Sequence, residues 1–475
     1  MMDKFHEECA VMGVYGHPEA ANMVYLGLYA LQHRGQESCG IVSSDGRALI
    51  SHRQMGLVAD VFKEDVIKRL EGASAIGHNR YSTQGQSHLK NAQPFVVEYS
   101  HGPIAIAHNG NLVNGAILRD ELERSGSIFQ STSDTEVIIH LIATSKETSL
   151  MGRIVEALSR VRGAYSLLFI TPDRMIAARD PYGFRPLVLG KFREGPKSDA
   201  DVVASETCAL DLIEADYVRE VEPGEIITFG PDGMESLKPF PPVPHAKCIF
   251  EYIYFARPDS SLYGHNVYTV RKSLGRQLAR ESAVEADLVT PVPDSGVPAA
   301  IGYAEESKIP LEFGLIRNHY VGRTFIEPQQ TIRHFGVKIK LNAQREVLNG
   351  KRVIVVDDSI VRGTTSRKII RMLRDAGASE VHMRISSPAT ISPCYYGIDT
   401  PTRSELIASS SSVEEIRRFI EADTLAYLSR DGMYHFFEEK QQGFCDACFT
   451  GNYPVHFEDE GHTRQLHLFD ALQHR

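Results

Sequence analysis

Residues 353 to 366 read Val-Ile-Val-Val-Asp-Asp-Ser-Ile-Val-Arg-Gly-Thr-Thr-Ser, and no other stretch constrains the fold so tightly. Four apolar β-branched residues in a row suit a strand covered on both faces, the setting of a parallel sheet flanked by helices. Asp357 and Asp358 then emerge at the carboxyl edge of that strand, where open α/β sheets bind ligands. Gly363 lets the backbone approach an anion, Thr364 and Thr365 offer N–H and hydroxyl donors, and a helix from about Ser366 turns its positive end to the same spot. A monoester phosphate fits there. Adjacent acids repel bare phosphate, so they suit ribose hydroxyls or a Mg2+ shared with a pyrophosphate. Together the parts match 5-phosphoribosyl 1-pyrophosphate.

A chain of 475 residues is long enough for two or three domains, each with its own core. Net charge −10 and pI near 6.0 argue against a dedicated nucleic-acid binder and for a soluble cytoplasmic protein. The apolar stretch from Ala20 to Leu31 is too short and interrupted to span a bilayer, and residues 1 to 8 lack a signal-peptide core. Seven cysteines, at 9, 39, 208, 248, 394, 445 and 448, make a disulfide framework a poor explanation in such a chain.

Four prolines between Lys238 and Lys247 predict an extended connector and a domain junction. Upstream, short runs at Ile104 to Ala107, Ser166 to Ile170 and Glu225 to Phe229 read as strands. A helix is expected over Ala20 to Gln32, and another from Ser133, whose spacing to Glu136 matches a capping box. Downstream, strands at Leu288 to Pro291, Val353 to Val356 and Val381 to Ile385 alternate with helices at Val297 to Ser307 and Ser366 to Ala376, the latter closed by Gly377. That alternation predicts a parallel sheet. A capped helix is expected from Ser412, with Glu415 three residues on, and the tail after Thr450 is expected to be loosely held.

Cys9 precedes an apolar run and follows a removable octapeptide. Alone, a cysteine is more often a small buried hydrophobe than a nucleophile. Its company changes that reading: Gly77-His-Asn-Arg-Tyr-Ser-Thr83, His108-Asn-Gly-Asn111 and Thr132-Ser-Asp-Thr-Glu136 follow in order. This region resembles class II glutamine amidotransferases, and the Asp357-Asp358 string resembles the signature of type I phosphoribosyltransferases. The whole of residues 9 to 450 is similar to the glutamine phosphoribosylpyrophosphate amidotransferase family.

The resemblance implies a propeptide (1–8), an N-terminal-nucleophile hydrolase αββα sandwich with glutaminase activity (9–240), a type I phosphoribosyltransferase α/β domain (248–450) and a tail (451–475). It implies that Cys9, freed at its α-amine, attacks glutamine while Asn109 and Gly110 stabilise the oxyanion. Arg80 then grips the substrate's α-carboxylate and Asp134 its α-ammonium. The His33 to Ser38 segment lies near the glutamine pocket with no catalytic role assigned. Ammonia displaces pyrophosphate at C1 of the activated ribose, giving 5-phosphoribosylamine, the first step of purine synthesis. Ser359, Arg362, Gly363, Thr364 and Thr365 belong to the sugar-phosphate loop. Ser295, in a pyrophosphate loop from Pro291 to Pro298, joins Asp357 and Asp358 as Mg2+ ligands. The basic segment from Tyr320 to Arg333, ending near Lys340, is similar to a mobile loop that brings Arg323, Arg333 or Lys340 onto the pyrophosphate. A hydrophobic ammonia channel, feedback by purine nucleotides and a homotetramer are also implied.

Cys445-Asp-Ala-Cys448, with Cys248 and Cys394, supplies four thiolates. Such a set suits a [4Fe–4S] cluster or a structural zinc equally, and spacing does not choose between them. The branch of the family with a cleaved propeptide carries the iron-sulfur cluster, and that resemblance favours it here. Two rival functions remain: another ammonia-using glutamine amidotransferase, which lacks the Asp357-Asp358 string, and a non-catalytic phosphoribosyl-pyrophosphate-binding regulator, which has no need of Cys9, Arg80, Asn109 and Asp134.

Overall fold

The computed structural model describes residues 9–81, 88–192, 199–319, 341–437 and 443–455. Its amino-terminal half is four layers deep. One sheet of seven strands runs in the spatial order Asp216–Glu220, Val188–Lys191, Asp201–Ala204, Ala10–Tyr15, Ser74–Arg80, Ser38–Ser44, Leu49–Met55. A second, of six, runs Gly233–Leu237, Ile226–Gly230, Met175–Arg179, Gly163–Ile170, Gly102–Leu112, Phe95–Tyr99. The two-residue period of a strand sends alternate side chains to opposite faces. Val11 therefore enters the core between the sheets, while Ala10, Met12 and Val14 pack under the helix Ala20–Ala30. Likewise Ala105 and Ala107 face the first sheet, and Ile104 and Ile106 face the helices Gly115–Arg124, Thr135–Thr144 and Leu150–Arg160. This is the expected αββα sandwich.

The carboxy-terminal half is built on a four-stranded, all-parallel sheet in the order Leu288–Pro291, Arg352–Asp357, Glu380–Ile385, Thr424–Tyr427. Ile354 and Val356 pack with the helices Val267–Glu281 and Val297–Ser307, and Val353 and Val355 with Thr364–Asp375 and Val413–Ile420. Both faces are covered, as the unbroken apolar run requires. The short strands Leu315–Arg317 and Leu341–Ala343 pair antiparallel and bracket residues 320–340, which lie outside the described set.

The proline-rich segment 238–246 has no regular structure and leads into Lys247–Cys248, which pairs in parallel with Phe444–Cys445. Two expectations are corrected. The Ser133–Glu136 capping box does not form: Asp134 precedes the helix, and the Glu136 carboxylate turns back to accept from the Gln130 N–H, the Ser131 N–H and the Ser131 hydroxyl. Three nearby donors outcompete one cap. The start of the tail is held, since Tyr453 donates its hydroxyl to the Pro393 carbonyl and Val455 is buried; residues 456–475 are outside the described set. The Ser412–Glu415 capping box forms as expected. Among the described residues no helix is long and apolar enough to cross a membrane.

Candidate functional site

Cys9 sits immediately before the strand Ala10–Tyr15, 7% exposed, and its thiol donates to the Tyr81 carbonyl at 3.6 Å. The neighbouring strand pairs Ala10 with Asn79, so Arg80 at its end is brought beside Cys9. Burial pushes the thiol above its ordinary 9.0, Arg80 opposes that rise, and Asp134 and Glu37 add to it. Arg80 and Asp134 are therefore both within electrostatic reach of Cys9. Arg80 donates to Glu37 at 3.2 Å. One Asp134 oxygen accepts from the Leu112 N–H at 2.8 Å, which ties it to the strand carrying Asn109 and Gly110.

Asn109 is fully buried, and neither its amide oxygen nor its amide nitrogen has a hydrogen-bond partner among the described residues. Leaving such groups unsatisfied costs about 1–3 kcal/mol each. A bound ligand is one way to satisfy them. Gly110 adopts φ +147°, and a Cβ there would stand 2.1 Å from the Ala164 carbonyl oxygen, so glycine is required. Cys9, Arg80 and Asp134 of the expected glutaminase residues thus lie together, and Asn109 and Gly110 are on the strand bonded to Asp134. Ser82 and Thr83 of the motif after Arg80, and the octapeptide, lie outside the described residues.

Local pattern gave no warning of the charges behind this site. Arg34 donates Nε to the Cys9 carbonyl at 3.3 Å and pairs with Glu206 and Glu251. Arg185 joins Glu251 at 2.7 Å. Glu251 begins the turn Glu251–Phe255 in the second half of the chain, and Arg271 donates to the Tyr252 and Ala256 carbonyls at its ends. Burial pulls the Arg271 guanidinium down to about 10, with Asp358 opposing. Buried polar groups therefore run from the Cys9 carbonyl to Arg271, within electrostatic reach of Asp358. The sequence marked the His33 to Ser38 segment without giving Arg34 a role; within it a Cβ on Gly35 would stand 2.8 Å from the Arg80 N, so glycine lets the two backbones approach.

In the second site Asp357 closes its strand and Asp358 follows, each 1% exposed. Asp357 accepts from the Asp358 N–H at 3.0 Å, and Ser359 donates to Asp358. Gly363, at φ +76°, immediately precedes the helix Thr364–Asp375, with Thr364 exposed and Thr365 buried. Arg362 pairs with Glu405 at 2.9 Å. The Pro291 to Pro298 loop folds over the same strand end: the Val292 N–H donates to the Val356 carbonyl at 2.8 Å, and a Cβ on Gly296 would lie 2.5 Å from that oxygen. Ser295 is thus carried next to the acids. Hard oxygen donors of this kind suit Mg2+. Arg323, Arg333 and Lys340 lie outside the described residues.

The four cysteines also meet. Cys248 and Cys445 are paired in register, and the Cys448 carbonyl accepts from the Ile391 and Ser392 N–H groups, next to Cys394. Burial raises all four thiols, Cys248 to about 12, and each of Cys248, Cys445 and Cys448 is raised further by neighbouring members of the set. Mutual repulsion among the ionised thiols is what a bound cationic group would relieve. Among the described residues no group of three or more His, Cys, Asp or Glu side chains is arranged to hold a metal ion.

Comparison with known proteins finds a glutamine amidotransferase domain at residues 78–211 and a phosphoribosyl transferase domain at residues 264–386. Amidophosphoribosyltransferase 1, chloroplastic, of Arabidopsis thaliana is 56% identical over 454 residues, covering 95% of this chain and 80% of its own. Amidophosphoribosyltransferase of Bacillus subtilis is 53% identical over 455 residues, covering 95% and 94%. A solved structure described as the allosteric regulatory enzyme of purine biosynthesis superposes with TM-score 0.91 at 52% identity over 95% of this chain and 97% of that one. Glutamine phosphoribosylpyrophosphate amidotransferase from B. subtilis, complexed with ADP and GMP, does so with TM-score 0.90 at 52% identity, covering 95% and 98%.

Proposed function

The chain belongs to the amidophosphoribosyltransferase family, and from that premise we propose how its own residues carry out glutamine-dependent conversion of 5-phosphoribosyl 1-pyrophosphate to 5-phosphoribosylamine, the first step of purine biosynthesis. The observation that carries the reading is Asn109, a fully buried amide whose oxygen and nitrogen have no partner among the described residues, on the strand tied to Asp134.

Removal of residues 1 to 8 exposes the Cys9 α-amine, whose reference pKa near 8 lets it take the proton of its own thiol. The sulfur attacks the side-chain amide of glutamine, Asn109 and the Gly110 N–H stabilise the oxyanion, and ammonia leaves. Water then cleaves the thioester to glutamate. Arg80 binds the α-carboxylate, exchanging Glu37 for substrate, and Asp134 binds the α-ammonium.

In the second site the Gly363 loop and the amino end of the following helix hold the 5-phosphate, with Ser359, Thr364 and Thr365 as donors. Asp357 and Asp358 orient the ribose and, with Ser295, would hold Mg2+, which supplies charge neutralisation to the departing pyrophosphate. Arg323, Arg333 or Lys340 adds cationic contacts. Cys248, Cys394, Cys445 and Cys448 would hold a structural [4Fe–4S] cluster that ties the domain junction to the carboxy-terminal segment. A homotetramer, cytoplasmic setting, hydrophobic ammonia passage and feedback by purine nucleotides complete the proposal; the last is supported by the ADP and GMP bound to the B. subtilis relative.

The decisive experiment supplies mature protein with glutamine, 5-phosphoribosyl 1-pyrophosphate and Mg2+, and measures glutamate and pyrophosphate together. Equal rates of release support the coupled reaction. Glutamate without pyrophosphate, in protein that binds both substrates, refutes it.

A further inference from the structure

The strand residue Gly110 is enclosed by backbone from two domains. On one side lies Ala164 of its own sheet. On the other lies Gly397, in a loop of the second half of the chain: a Cβ on Gly397 would stand 3.0 Å from Gly110 Cα and 3.1 Å from its carbonyl carbon. The same loop accepts a hydrogen bond from the next residue of the strand, Asn111 Nδ2 to the Tyr395 carbonyl at 2.9 Å. Its own position is well determined. Tyr396 stacks on Phe184 at 4.3 Å, donates its hydroxyl to the Val455 carbonyl at 3.1 Å and accepts from the Val455 N–H at 3.0 Å. Ala164, Phe184, Tyr396, Cys445 and Val455 share one small core that spans the domain boundary.

We infer that the Cys394 to Gly397 loop, contributed by the phosphoribosyltransferase half, is a positioning element for the glutamine site, setting where the Gly110 N–H and the Asn109 amide stand. The inference rests on the reading of Asn109 and Gly110 as the oxyanion donors. Such donors act within a few tenths of an ångström of their optimum, because they must meet the oxygen of the tetrahedral intermediate rather than that of the ground-state amide. Gly110 has no slack. With backbone in contact on both sides, any atom added at 397 has to displace either the loop or the donor strand, and any loss of the Asn111 bond frees the strand from the loop. Arg80, which holds the glutamine α-carboxylate, stands on the other sheet, so a displaced donor weakens the transition state more than ground-state binding.

The test uses the mature full-length enzyme with Gly397→Ala, Asn111→Ala and, as control on the underlying reading, Asn109→Ala. Gly397→Ala adds one methyl at a residue of φ +107°; Asn111→Ala adds no atoms and serves alone should the former not fold. The expected result for both is a fall of about ten-fold in glutamine-dependent kcat that exceeds any change in KM for glutamine, with ammonia-dependent synthesis near that of the parent; Gly397→Ala also lowers the melting temperature, whereas Asn111→Ala leaves it near the parent's. A role confined to stability would lower both activities and the melting temperature together. Full glutamine-dependent kcat in folded Asn111→Ala, or equal losses with glutamine and with ammonia, overturns the inference. If Asn109→Ala alone loses glutamine-dependent turnover, only this inference falls; if Asn109→Ala keeps it, the oxyanion reading itself falls.

Discussion

Arg34 and Glu251 meet across the domain boundary as a two-bond ion pair, Nη2 to Oε1 at 2.7 Å and Nη1 to Oε2 at 3.0 Å, with neither side chain exposed. Glu251 also binds Arg185, so neutralising it takes a carboxylate from two buried guanidiniums, of which Arg34 keeps Glu206. Glu251→Gln is expected to cost about 3–5 kcal/mol, read as a fall in melting temperature. A loss under about 1 kcal/mol would show the cluster to be wetter than the structure has it.

Cys9→Ala is expected to abolish glutamine-dependent turnover and leave synthesis from added ammonia. The two sites have separate residues, and only the first needs a nucleophile. Parallel rate measurements with glutamine and with ammonium chloride check it; loss of both in folded protein sinks the two-site scheme.

Burial, with Asp134 and Glu37 nearby, holds the Cys9 thiol above its ordinary pKa of 9.0 while the octapeptide is attached. A raised thiol pKa means little thiolate at pH 7, so alkylation of Cys9 in the precursor should be slow there and keep rising past pH 9. The mature protein, with its α-amine as base, should react faster at neutral pH. Peptide mass mapping after timed iodoacetamide treatment distinguishes the forms.

Asp358→Asn should remove the phosphoribosyl reaction with either nitrogen source, by about a hundred-fold or more, and leave glutamine hydrolysis in place. Pyrophosphate and glutamate release, followed separately, report the two halves. Equal loss of both would place Asp358 in the folding of the chain and not in its chemistry.

Burial acts to raise the pKa of Glu136, but hydrogen bonds from His140, Gln130 and Ser131 outweigh it and lower the carboxyl from 4.5 to about 2. A depressed folded-state pKa contributes stability that is whole above pH 4.5 and lost as pH falls toward 2. Glu136→Gln should therefore cost on the order of 2 kcal/mol at pH 7 and almost nothing near pH 2, measured by denaturant unfolding across that range.

The fourteen residues from Val353 placed a strand, an acid pair, a glycine turn and a helix because each follows from local chemistry, and the structure has all four. The same holds for the Ser412–Glu415 cap, whose partners lie on one helical turn. Ser133 and Glu136 had the same spacing and failed, since Glu136 found closer donors upstream, and spacing alone does not rank competing partners. Cys9, Arg80, Asn109 and Asp134 came from resemblance; that Arg80 stands beside Cys9 is a property of strand register, which pairs Ala10 with Asn79. Glu251 and Gly397 were invisible because their partners, Arg34 and Gly110, sit in the other domain, and docking geometry leaves no periodic trace in either segment.

The pairing of Cys248 with Cys445 also orders events at synthesis. A ribosome releases the first partner long before the second, so the amino-terminal half emerges and collapses with its exit strand still unmatched. Closure of the junction, and with it the Gly397 contact behind Gly110, waits until residue 445 has been made, so a nascent chain stalled before that point would have an amino-terminal half whose Gly110 strand lacks this support.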